Sequence, residues 1–223
     1  MVVHRQATAG EGGGEVNALV QEFQKFHGQD TRQIGKFFCI PAVVSNALRI
    51  LGAPEFNQYR IRDEWYAMKG RTPEPTLDEQ MKGAGPDVVD ALKRNTDFPN
   101  RFETEAFERP SEPSFFCVSK ADEAVSFIAN HVSLGHPVLV STDSIPWEQG
   151  VVQRFCCHMW LALYADTAAN FVVAHDPATD ILFRASIEMS VPVQMGSTAG
   201  ELEIGLRGRI TTTNYFCLAF WKR

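Results

Sequence analysis

The chain has 223 residues, which at ~150 residues per domain is most simply one globular domain. Hydrophobic residues make up 44% and charged residues 22%, with 16 Phe and 4 Trp, a balance that excludes disorder as the dominant state. The formal net charge is −6 and no long Lys/Arg cluster occurs, which argues against a broad nucleic-acid or anionic-membrane surface.

In chain order, residues 1–14 are small, polar and Gly-rich and predict a flexible arm outside the folded domain, which is expected to span 15–223 as one unit. Val16, Leu19, Val20, Phe23 and Phe26 recur at helical spacing and predict a short amphipathic helix, broken at Gly28 to Thr31. Pro41 sits at a first-turn position, an apolar run from Val43 to Leu51 follows, and Gly52 supplies a stop, so a buried central helix is expected. Residues 53–84 read as irregular with a helix around Arg62 to Met68. Residues 86–95 and Ala121 to Leu134 read as two further helices.

The period then changes from helix to strand. Pro137 to Ser141, Cys157 to Tyr164, Phe171 to His175, Ile181 to Ala185 and Tyr215 to Trp221 are short β-rich segments separated by turns. Helices followed by strands predict an α+β fold, an antiparallel sheet packed on a helical lobe. The Gly-rich stretch 189–209 reads as a loop or lid. No apolar run approaches the ~20 residues of a membrane span, so no membrane association is expected. The first residues lack the apolar core of a Sec signal, so the protein is expected to be cytoplasmic or exported by a non-Sec route. Five cysteines, an odd number with no C-x-x-C, argue for reduced thiols rather than a disulfide framework.

Four residues form a joint pattern. Cys39 lies just ahead of the helix that Pro41 helps open, where first-turn N–H groups and the helix dipole favour a thiolate. Taken alone it reads more readily as a small buried hydrophobe. His158 opens an apolar strand, and Asp176 ends the next one before Pro177. Two adjacent antiparallel strands would bring them together near one end of the sheet, the geometry that a base and its orienting carboxylate need. Gln33, six positions before Cys39, is close enough for its amide to point at an oxyanion.

The run Gln33, five residues, Cys39-Ile40-Pro41, then Gly135 to Val140, then Cys157 to Tyr164, then Val172 to Pro177, resembles the papain-like cysteine peptidase superfamily. More specifically it resembles the small bacterial branch related to the bacteriocin-processing (double-glycine) peptidases, over roughly residues 30–185. The resemblance implies a papain-like fold with a buried nucleophile helix, Cys39 as nucleophile, His158 as general base, Asp176 as its orienter and Gln33 as oxyanion donor. It implies a cysteine peptidase or amidase acting on a peptide or protein through a thioester acyl-enzyme. Ile40 after the cysteine and Phe37-Phe38 before it depart from the pattern and predict a narrow or apolar approach.

Two other readings stay open, an acyltransferase that delivers the acyl group to an amine and a non-catalytic binding module on the same scaffold. A metal centre built from Cys156, Cys157, His158, His175 and Asp176 lacks the paired spacing of a zinc site, so no metal and no cofactor are expected. The sequence leaves the oligomeric state unassigned.

Overall fold

A computed structural model describes residues 18–107, 118–148, 151–152, 155–168, 171–186 and 209–223. The expected N-terminal arm lies outside the described residues, as does the 189–208 part of the expected lid. Among the described residues, six helices precede or interrupt the strands: α1 (Ala18–Gln24), α2 (Cys39–Ile50), α3 (Gln58–Lys69), α4 (Asp87–Asn95), α5 (Phe98–Arg101) and α6 (Val118–Ser133). The strands are β1 (Phe102–Phe107), β2 (Val138–Glu148), β3 (Val151–Val152), β4 (Phe155–Asp166), β5 (Phe171–Asp176), β6 (Ile181–Ser186) and β7 (Arg209–Lys222). The architecture is α+β: their sheet runs β1-β7-β2-β4-β5-β6, with β3 on β2, and the paired strands are antiparallel.

Helix α2 is enclosed by its neighbours rather than lying on a surface: Ile40 through Leu48 are buried without a break, polar Ser45 and Asn46 among them. It begins at Cys39 itself, earlier than the Pro41 signal implied, with Pro41 in the first turn. Helix α3 is longer than the sequence reading. The side chain of Asn57 caps it by accepting from Arg60 N at 3.0 Å, and Gly70 ends it at φ 64°, where glycine carries no Cβ penalty. In α4, Asp87 and Asp90 lie in the first turn and Lys93 and Arg94 in the last, each charge matching its end of the helix dipole.

Strand β4 is buried at five consecutive positions, Met159 to Leu163. Because successive side chains point to opposite faces, β4 is covered on both, and α2 and α6 are among the elements packed on it. This stacks α2, which starts at Cys39, on the strand that carries His158. Strand β1 was absent from the sequence reading: it leaves the helical half, pairs with β7 and tucks Phe102 against Phe56 and Phe98. Strands β2 and β7 also run on past the expected limits, pairing as far as Pro146 with Arg209, so position 209 belongs to a strand and not to the expected loop. Among the described residues no helix is long and apolar enough to cross a membrane.

Candidate active site

The loop between α1 and α2 is fixed before it delivers Cys39. Asn46, buried in α2, donates to Thr31 O at 3.0 Å, and Gln58 at the start of α3 donates to Arg32 O at 2.8 Å while accepting from Ile34 N at 3.2 Å. Gly35 then passes so close to Leu77 that a Cβ would stand 2.7 Å from the Leu77 carbonyl oxygen and 2.9 Å from the Phe38 ring. The ring can turn aside; the carbonyl is backbone and cannot. Gly35→Ala is therefore expected to destabilise the protein by about 1–3 kcal/mol, visible as a lower thermal midpoint, and an unchanged midpoint would mean the loop yields freely. Phe38 is fully buried and so lies in the core rather than across the approach to the cysteine, whereas Phe37 is half-buried with Lys36 over its ring.

Cys39 is half-buried at the first position of α2. Its thiol is hydrogen-bonded to the ring of His158. His158 Nε2 lies 2.6 Å from Asp176 Oδ1, which leaves Nδ1 as the ring nitrogen for the sulfur. The pairing of β4 with β5 brings histidine and carboxylate together, in a register that sets Leu161 opposite His175 and Ala162 opposite Ala174. Pro177 then ends the strand, since it has no N–H for the ladder.

Asp176 holds its own turn. Its Oδ1 accepts from Ala178 N at 2.8 Å and its Oδ2 from the Thr179 hydroxyl at 3.0 Å, an Asx-turn that pins the carboxylate toward the histidine. Burial raises the pKa of Asp176, but the His158 hydrogen bond and charge, with the Ala178 and Thr179 donors, outweigh it and hold the carboxyl below the usual range. Burial likewise opposes a charge on His158, yet the hydrogen bonds to Asp176 and Cys39 and their charges prevail, and its pKa is raised to about 9. The ring is thus protonated at neutral pH.

Gln33 is anchored to the turn after Asp176 through its backbone, Gln33 N donating to Pro177 O at 2.9 Å. Its side-chain amide donates to Gly35 O at 3.0 Å and Lys36 O at 3.2 Å, and its Oε1 is buried without a partner among the described residues. The amide nitrogen is therefore engaged with the loop in the resting structure.

The titrating groups set a pH window for stability. His158 binds its proton more tightly folded than unfolded, so its contribution is complete below the ordinary value of 6.5 and is lost as pH rises from there through about 9. Burial is the main cause that pulls His131, His136 and His175 the other way, so their contribution is lost as pH falls below 6.5. Thermal melts from pH 4 to 10 are expected to peak near pH 6.5, and His158→Gln to flatten the alkaline limb. A midpoint still rising at pH 9 would contradict the His158 assignment.

A second histidine–carboxylate cluster abuts the first. The donors of His27, His175 and Asp180 all lie within 4.8 Å of one another, a spacing near that of ligands about one divalent ion. The outer shell does not fit. Ligation through His175 Nε2 would move the ring proton to Nδ1, which is buried and has no acceptor among the described residues, whereas metal-bound histidines donate that proton to a carboxylate or carbonyl. The metal centre weighed from sequence is also divided: His158 pairs with Asp176 and His175 with Asp180, while the side chains of Cys156 and Cys157 lie outside the described residues.

The sequence reading passed over Thr31, Thr179, His27 and Asp180. The run His175-Asp176-Pro177-Ala178-Thr179-Asp180 does carry a local signal, an aspartate followed two and three positions on by its own hydrogen-bond donors. No family model matches the chain, and no curated protein does.

Proposed function

We propose that the protein is a papain-like cysteine hydrolase that cleaves an amide bond in a peptide or protein. The observation that carries this reading is the continuous Cys39–His158–Asp176 hydrogen-bonded relay, assembled from the start of α2, β4 and the end of β5, with its histidine charged at neutral pH. In this reading Cys39 is the nucleophile, His158 the general acid and base, Asp176 its orienter and Gln33 the oxyanion donor.

The Cys39 sulfur attacks the carbonyl carbon, forming a C–S bond and sending the π electrons to oxygen. The oxyanion collapses, the C–N bond breaks, and His158 gives its proton to the departing amine. Water then attacks the thioester: His158 takes its proton, a C–O bond forms and the sulfur leaves. Asp176 keeps the ring in the tautomer that presents Nδ1 to the sulfur and stabilises the imidazolium.

The test is intact-mass spectrometry after mixing with p-nitrophenyl acetate, which an activated thiol attacks without needing peptide recognition. The expected result is a single acetyl adduct on Cys39 that decays as acetate is released, absent in Cys39→Ala. A wild type that forms no adduct while remaining folded would overturn the reading and leave a binding module. An added amine recovered as its acetamide, in place of acetate, would assign the protein to acyl transfer instead.

A further inference from the structure

Asp180 closes the turn between β5 and β6 with φ 56°, a left-handed conformation that glycine adopts freely and aspartate adopts at small cost. Aspartate tolerates that conformation better than most residues, and what sets Asp180 apart is the set of contacts its side chain makes. Its Oδ1 accepts from the Thr31 hydroxyl at 2.6 Å and lies 2.9 Å from His175 Nε2 and 3.7 Å from His27 Nε2, and its carbonyl oxygen lies 3.1 Å from His27 Nε2. Burial opposes the charge on this carboxyl, but the Thr31 and His175 hydrogen bonds overcome it and keep the group ionised.

These contacts join two specific segments. On one side are His27 and Thr31, in the loop that feeds Cys39; on the other is the turn that begins at Asp176. Two more bonds cross the same seam, Gln33 N to Pro177 O at 2.9 Å and Arg32 Nε to Ala178 O at 3.3 Å. The seam reaches the helices as well, because Thr31 is fully buried and its carbonyl is held by Asn46 of α2. Asp180 N donates back to Asp176 O at 2.8 Å, so the hub and the orienting carboxylate share one turn.

We infer that Asp180 is a positioning residue: its carboxylate clasps the loop that presents Cys39 to the turn that presents Asp176, and so sets the spacing of the Cys39–His158–Asp176 relay. Its consequence for turnover rests on the catalytic reading above; its consequence for the His158–Asp176 pair does not. Reacting groups displaced by about 1 Å lose on the order of a hundredfold in rate, and a seam of this kind guards against that. Thr31 contributes the shortest bond and His175 is the buried donor that commits the carboxylate inward.

The test compares Asp180→Gly, which adopts the left-handed backbone freely while deleting the hub, with Asp180→Asn, which tolerates that backbone and keeps an acceptor oxygen. The readouts are the NMR titration midpoint of the His158 ring, kcat and KM on p-nitrophenyl acetate, and the thermal midpoint. For Asp180→Gly the expected result is a folded protein whose His158 midpoint falls by at least one pH unit and whose kcat falls about tenfold at nearly constant KM. Asp180→Asn recovers most of both.

A wild-type His158 midpoint and kcat in folded Asp180→Gly would overturn the inference, as would a loss that merely tracks the unfolded fraction. One equivalent of zinc or cobalt bound by the wild type and lost in Asp180→Gly would also overturn it, in favour of a metal clasp. A midpoint that moves as expected in a protein whose wild type turns over no ester would leave the positioning role standing and remove the catalytic reading.

Discussion

His158→Ala is expected to slow both the alkylation of Cys39 by iodoacetamide and the turnover of p-nitrophenyl acetate at pH 7, the second by at least a thousandfold. A positioned general acid–base is worth typically 10²–10⁴-fold, and in this relay the same ring also supplies the positive charge beside the sulfur. The stability cost is substantial too. Asp176 is only 5% exposed, and removal of its partner leaves a buried carboxylate facing a void. Breaking a buried pair from one side costs about 3–5 kcal/mol, so the thermal midpoint must be followed alongside the rate.

Asp176→Asn separates the two effects, since it keeps the shape of the turn and removes the charge. It is expected to lower kcat with a smaller loss of stability. The labelling has to be resolved cysteine by cysteine, because the chain has five. Cys217 serves as the internal control: burial pushes its pKa up to about 12, so it stays unlabelled while the protein is folded. Equal alkylation of Cys39 in the wild type and in a folded His158→Ala would show that the hydrogen bond between them does not activate the thiol.

What the sequence made legible was the part of the site written in local patterns. The apolar runs around Met159 to Tyr164 and Phe171 to Ala174 mark neighbouring strands, and an antiparallel pair joined by a short connection must bring its ends together. The pairing of His158 with Asp176 follows from that, although the exact register does not. The start of α2 was harder to place because Phe38 offers no side-chain cap, so only Pro41 marked the first turn. Helix α3 carried proper punctuation in Asn57 and Gly70, but its polar run Gln58–Lys69 gave little apolar periodicity to read.

Strand β1 was hidden for a related reason. Glu103 and Glu105 interrupt it, as charges do on edge strands, and its partner β7 is the last strand of the chain. The seam around Asp180 is the least readable feature of all. Thr31 and Asp180 are 149 positions apart, and neither carries a local pattern that names the other. Tertiary placement alone makes a hub of a turn aspartate. The same logic explains why Gln33 could be put near Cys39 by spacing, while the direction of its amide could not.

That direction decides the second large effect. In the resting structure the Gln33 amide nitrogen makes two bonds to the loop, to Gly35 O at 3.0 Å and Lys36 O at 3.2 Å. Serving an oxyanion means giving up one of them, most readily the bond to Lys36, whose exposed carbonyl can turn to water. A hydrogen bond exchanged with water costs about 0.5–1.5 kcal/mol, whereas a donor aimed at an oxyanion is worth ~2.7–4 kcal/mol, so the swing is favourable once charge develops on the carbonyl oxygen. The difference, about 1–3 kcal/mol, corresponds to a loss of roughly ten- to a hundredfold in kcat for Gln33→Ala.

Gln33→Glu is expected to lose more than a thousandfold, because a carboxylate donates nothing and repels the developing charge. The discriminating control is again iodoacetamide. Its displacement reaction creates no oxyanion, so the uncharged variant Gln33→Ala is expected to alkylate Cys39 within about threefold of the wild-type rate. If alkylation, kcat and thermal midpoint instead fall together in Gln33→Ala, the amide serves only to brace the loop before Cys39, and the oxyanion must be held by backbone N–H groups at the start of α2.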